Sequence, residues 1–159
     1  MKILMAMETE DLQNLAAKGI SACRDGDWTR GVALLGEAAA ERGTGRELPG
    51  VVYSFLGYGI ARYQKRIRDG LKLCEHAVKI QYYEPDNHLN LARVQLMTSD
   101  RRAAVASIAR GLKLDPNHRG LKELRIEIGV RRRPVIPFLS RSNLFNQLFG
   151  KIRHKLTGR

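Results

Sequence analysis

Between Leu89 and Leu114 the apolar positions recur at steps of three and four residues: Leu89, Ala92 and Leu96, then Ala104, Ile108 and Leu112. Strands cannot share that periodicity, so the stretch reads as two short helices. Thr98-Ser99-Asp100 separates them, poor for a helix interior and good for capping the helix that follows. Asp115-Pro116 closes the unit, because proline cannot continue a helix. The same reading upstream predicts helices over Asp11–Asp25, Thr29–Arg42 with Thr29 as N-cap, Val52–Tyr63 and Ile67–Gln81. Tyr82 to Pro85 marks a boundary, Leu89–Met97 and Arg101–Leu114 form the next pair, and a seventh helix over Asn117–Ile128 carries Leu121, Leu124 and Ile128 on one face. Val51-Val52-Tyr53 is a β-branched cluster, but it opens a helical run.

Beyond that point the pattern changes. Pro134 and Pro137 make Arg131 to Leu139 largely extended. Ser142 or Asn143 then caps a final helix to about Leu156, with Leu144, Leu148, Ile152 and Leu156 on one stripe beside Phe145 and Phe149.

The predicted helix pairs repeat a pattern of residue sizes. One copy has Gly19, the turn Asp25 to Trp28, then Gly31, Leu35 and Ala38; a second has Leu56-Gly57, then Gly70, Cys74 and Ala77; a third has Leu91-Ala92, then Ala104, Ile108 and Gly111. Gly31 and Gly70 are 39 residues apart, with an extra loop from Gly43 to Gly50, and Gly70 and Ala104 are 34 apart. The middle turn, Gln64 to Asp69, reads as one residue longer than the others. Small residues where helices cross, with large ones a turn away, are what close crossing requires.

On these residues the chain resembles the tetratricopeptide repeat family, helix-turn-helix modules of about 34 residues, with Asp115-Pro116 as the closing pair. The resemblance implies an all-α, right-handed superhelix of three repeats, about 11–44, 50–84 and 85–118, with a capping helix over 117–129. The repeat domain is thus expected over 8–129 and a basic extension over 130–159, the latter similar to the tail of small bacterial tetratricopeptide proteins. It also implies a non-catalytic scaffold, whose first helices line a groove holding a partner peptide or helix. Groove positions are Gln13, Ile20 and Arg24 in the first repeat, Tyr58 and Arg62 in the second, and Arg93, Leu96 and Met97 in the third. Tyrosine and arginine are frequent interface anchors, and methionine adapts to varied partners. The three arginines suit a carboxylate or an acidic peptide. The family's clamp for C-terminal carboxylates, built from lysines and asparagines, is not reproduced.

Charge singles out the C-terminus. Lys and Arg number 28 against 16 Asp and Glu, a net charge of +12. Eight basic residues and no acid follow Glu127, leaving +4 for the rest, so the basic character reads as belonging to the last thirty residues. Arg131, Arg132, Arg133, Phe138, Phe145 and Phe149 are the candidate contacts of this tail. Folding back on the repeats, docking a protein, and binding an anionic membrane or nucleic acid are its three readings, in that order. Arg131, Pro134 and Pro137 also match a short basic PxxP spacing.

No catalytic constellation is legible. His76, His88, His118 and His154 are dispersed, and Cys74-Glu75-His76 points in different directions on a helix. Neither HExxH, GxSxG, a phosphate loop nor a dinucleotide fingerprint occurs, so no cofactor or metal is expected. Cys23 and Cys74 fall in separate repeats and read as buried free thiols. No stretch approaches the roughly 18 apolar residues of a membrane span. The Met1–Met7 patch is shorter than a signal h-region, so a soluble cytoplasmic protein is expected.

Overall fold

Helical periodicity is realised as seven helices in a computed structural model that describes residues 2–41, 48–129 and 152. They are α1 (Lys2–Arg24), α2 (Trp28–Glu41), α3 (Gly50–Tyr63), α4 (Ile67–Ile80), α5 (Pro85–Met97), α6 (Arg101–Leu114) and α7 (Arg119–Glu127). The chain divides into two units, Met1–Glu127 and Ile128–Arg159. Of the second, only Ile128, Gly129 and the helical, exposed Ile152 are described. Apart from Ile152, the extended segment and final helix expected after Gly129 lie outside the described residues.

Several boundaries differ from the sequence reading, most of them for a local reason. Helix α1 begins at Lys2, not Asp11. Asp27, not Thr29, caps α2: its carboxylate accepts the Arg30 N–H at 3.1 Å. Helix α5 begins at Pro85 rather than Leu89, because proline at the first helical position lacks only an N–H that had no helical partner anyway. The Glu84 side chain caps that end through the Asp86 N–H. Helix α7 starts later than Asn117, because Asp115 holds the Asn117 N–H at 2.8 Å in a turn and the His118 ring caps the helix through the Leu121 N–H at 3.3 Å. Asp100 caps α6 as expected, accepting from the Ala103 N–H at 2.9 Å.

The three intra-repeat connections share one device. Each is three residues long, and its middle residue has positive φ: Gly26 at 92°, Lys65 at 60° and Ser99 at 62°. In the first and third, the next N–H reaches back five residues, Asp27 to Ala22 and Asp100 to Gln95, each at 2.9 Å. In the second, Arg66 reaches back six, to Ile60, at 3.3 Å. The additional residue of the middle repeat therefore sits in the last turn of α3, not in the connection. Side chains in this left-handed region are strained by roughly 1–2 kcal/mol, against roughly 0.5–1 kcal/mol for the chain freedom of glycine. Lys65→Gly and Ser99→Gly should each raise stability by about 0.5 kcal/mol, whereas Gly26→Ala, with open space around the added methyl, should lose about 1 kcal/mol. Urea midpoints at unchanged m-value check both signs.

Packing follows the small-residue pattern. Helix α3 is buried over most of its circumference, with Val52, Phe55, Leu56 and Ala61 all at or below 6% exposure. It packs on α4, α5 and α2, and to a lesser extent on α1. Helices α1, α3 and α5 thus form one layer, and α2, α4 and α6 the other. One apolar cluster, including Cys23, Leu35, Ala38, Val52 and Phe55, joins α1, α2 and α3; another, of Ala61, Cys74, Leu91 and Val94, joins α3, α4 and α5. Leu35 is fully buried, worth about 1.5–3 kcal/mol in transfer alone. At the C-terminal end α7 lays Leu121 and Leu124 against α6, where Leu121 fills the space left by Gly111.

Candidate partner-binding groove

Side chains of α1, α2, α3 and α5 form an aromatic and cationic cluster. Trp28 opens α2 and stacks on Phe55 at 6.0 Å and on Tyr63 at 5.8 Å, with Tyr58 edge-on at 4.9 Å. The ring stack ties the first repeat to α3, and edge and offset contacts of this kind add about 0.5–1.5 kcal/mol each beyond burial. Two guanidinium groups lie over its rings: Arg24 over Phe55 at 5.6 Å and Arg93 over Tyr58 at 5.1 Å.

Behind the rings runs a hydrogen-bonded chain. The Arg93 guanidinium donates to Asn90 at 3.3 Å, the Asn90 amide to Ser54 at 3.1 Å, and the Ser54 hydroxyl to the Asp86 carbonyl at 3.4 Å. Asn90 and Ser54 are buried, so their mutual bond fixes the α3–α5 register as well as satisfying both groups. The Asp86 carboxylate, in the first turn of α5 where the helix dipole favours negative charge, is held from two sides. Arg24 donates to it at 2.6 Å from the end of α1, and His118 meets its other oxygen at 3.2 Å from the turn before α7. Asp86 therefore links α1, α5 and the turn before α7. Because Arg24 is 57% exposed, its ion pair is worth about 0.5 kcal/mol; its role is geometric.

This arrangement places the groove positions as follows. Tyr58 and Arg93 are brought into contact. Arg24 lies near them across Phe55, but it already holds a carboxylate of its own chain, so the three-arginine clamp is not assembled as a set of free cations. Arg62 and Gln13 are exposed. Ile20 and Met97 are half-buried and pack against the two apolar clusters, so part of each belongs to the core. Leu96 is half-buried. Asp86, His118, Phe55 and Tyr63 were not singled out in the sequence; their contacts join positions up to 62 residues apart, which no local pattern encodes. The tail positions Arg131, Arg132, Arg133, Phe138, Phe145 and Phe149 lie outside the described residues.

Both cysteines are free and buried. Burial, with the Asp27 charge nearby, pushes the Cys23 thiol up to about 11, and burial drives Cys74 higher still while its thiol donates to the Ser54 carbonyl at 3.5 Å. Both are thus protonated at neutral pH and are packing groups rather than nucleophiles. Among the described residues no three His, Cys, Asp or Glu side chains come together as a metal site, and no helix is long and apolar enough to cross a membrane.

No family model matches the chain, and no curated protein does. Among solved structures, the TPR domain of Arabidopsis OM64 is similar over 77% of this chain and 97% of its own length, with a TM-score of 0.61 at 16% identity. At that identity the likeness is one of fold, and the seven described helices are those of a tetratricopeptide-like helical repeat protein.

Proposed function

We propose that the chain is a non-catalytic interaction module that holds a peptide or helix of another protein on its α1–α3–α5 face. The observation that carries this is the Tyr58–Arg93 pair, a ring and a cation presented together on that layer, with exposed Arg62 one turn beyond Tyr58. Such pairs are common energetic anchors of interfaces. The repeat fold supports the reading as well, since stacked repeats build extended surfaces of this kind. In this reading the repeat domain runs over 8–129, and the basic extension over 130–159 is accessory to the groove.

The test is selection of binders from a random peptide library on the immobilised protein. Selected peptides should bind the Arg62→Glu/Arg93→Glu variant at least about tenfold more weakly, a loss of roughly 1.4 kcal/mol. Circular dichroism and a matching thermal midpoint establish that the variant is folded. Equal binding to parent and folded variant would overturn the proposal.

A further inference from the structure

The outer layer carries a charge pattern that the whole-chain count conceals. Positions 1–63 hold seven Lys and Arg against eight Asp and Glu, whereas positions 64–127 hold thirteen against eight. The excess lies mostly on α6, with four basic residues and no acid, while α4 carries three against two. Arg68, Lys72 and Lys79 of α4, and Arg102, Arg110 and Lys113 of α6, are exposed and make no ion pair among the described residues. They are in register: Arg68 and Arg102, like Lys79 and Lys113, are 34 positions apart, as are the buried Gly70 and Ala104 on the opposite faces. Both helices pack on α5, and the 34-residue spacing puts the two rows on equivalent faces of successive helix pairs. Each row extends about 16 Å, at a rise of about 1.5 Å per residue. Glu75 is the one exposed acid on the α4 row, and α6 contains no acid at all.

At the end of the α4 row, Tyr82 and Tyr83 stand 67% and 60% exposed, their rings 5.7 Å apart and nearly perpendicular. Solvated tyrosine rings that follow a row of cations in the chain suit a single-stranded nucleic acid: cations follow the phosphates, and any base can stack on a ring. An anionic membrane fits less well. An interfacial helix needs large apolar groups on its exposed face, and between the ends of these rows the fully exposed apolar residues are alanines, Ala106 and Ala109, with Leu71, Val105 and Leu112 half-buried.

We propose that the α4–α6 face binds single-stranded nucleic acid without sequence preference, the six cations tracking the backbone and Tyr82 and Tyr83 stacking bases. This surface is separate from the groove and does not depend on the groove's function.

The experiment uses the full chain. Fluorescence anisotropy of a labelled single-stranded oligouridylate is followed against ionic strength for the parent, for Arg68→Glu/Lys72→Glu/Arg102→Glu/Lys113→Glu, and for Tyr82→Ala/Tyr83→Ala. Co-sedimentation with phosphatidylserine vesicles is run in parallel. The charge variant should bind at least about tenfold more weakly, and its salt slope should fall by about 3, since each phosphate contact on a single strand contributes about 0.7. The tyrosine variant should lose about tenfold at an unchanged slope, as stacking is not screened by salt. All substituted residues are exposed, so fold is retained and circular dichroism verifies it. Oligonucleotide affinity unchanged in the charge variant would place binding in the basic tail and overturn the proposal. So would affinity unchanged in the tyrosine variant, or binding to vesicles that the charge variant loses, without oligonucleotide binding.

Discussion

Gly70→Ala is expected to lower the unfolding free energy by about 3 kcal/mol, at the upper end of what overpacking a core usually costs. A methyl at this position would run into the Gly57 carbonyl oxygen and lie 2.7 Å from the Ala61 Cβ and 3.1 Å from the Ala61 nitrogen. The reciprocal change meets the same wall: a methyl on Gly57 would sit 2.7 Å from the Gly70 carbonyl oxygen. Backbone opposes backbone at this crossing, so no rotamer change relieves it. Helices α3 and α4 would have to separate, and α3 is the most deeply buried helix of the repeat domain. A domain of this size has about 5–15 kcal/mol in total, so the loss is a large fraction of it. Gly36→Ala is the control. It is also a helical glycine, but nothing lies within 4 Å of the added methyl, so the higher helix propensity of alanine should stabilise by up to about 1 kcal/mol. Urea unfolding with m-values separates the two. A change below about 0.5 kcal/mol for Gly70→Ala would mean that the crossing is not as close as described.

That crossing is also the reason the fold was legible. Close helix contacts force small residues onto fixed positions, so Gly57, Gly70, Ala104 and Gly111 left a pattern that a sequence displays directly. Caps that act within a few residues were readable too, as with Asp100. What acts across the fold was not. Asp86 was invisible as a hub because Arg24 and His118 are far from it in sequence, and a lone acid after a proline reads only as a helix start. The sequence pattern places the start of α5 too late, because Pro85 reads as a boundary although it is the first helical residue. The α4–α6 row was hidden for a different reason: summing charge along the chain averages over faces, while the 34-residue register sorts it by face. In the groove, the sequence supplied Tyr58 and Arg93 but could not show that they touch, nor that Arg24 is already engaged.

The junction between repeats two and three rests on a polar exchange that sequence reading also passed over, and it carries the other large expected effect. The Gln81 side chain accepts the Val51 N–H at 3.1 Å and so caps the start of α3. The amide of Asn87, fully buried, donates to the Gln81 carbonyl at 2.8 Å and to the Ala77 carbonyl at 3.4 Å, capping the end of α4. Its own side-chain oxygen makes no hydrogen bond. Gly50 completes the junction, because a methyl there would lie 2.7 Å from the Ala77 oxygen and 3.1 Å from the Asn87 amide nitrogen. Asn87→Asp keeps the shape but turns a donor into a buried anion facing carbonyl oxygens. The dipole at the start of α5 offsets this by only about 0.3–1 kcal/mol, whereas an uncompensated buried charge costs about 3–5 kcal/mol. Destabilisation of about 3 kcal/mol at neutral pH is therefore expected. Its pH dependence identifies the cause. Burial without a cation raises the carboxyl's folded pKa above its unfolded value of about 3.9. The folded state then binds the proton more tightly, so the stability of the variant relative to the parent is highest below that unfolded pKa and is lost as pH rises through the folded one. Once protonated, the acid can again donate to Gln81. Urea midpoints of parent and variant should therefore converge on acidification; a gap that is constant with pH would assign the loss to packing rather than to the reversed hydrogen bond.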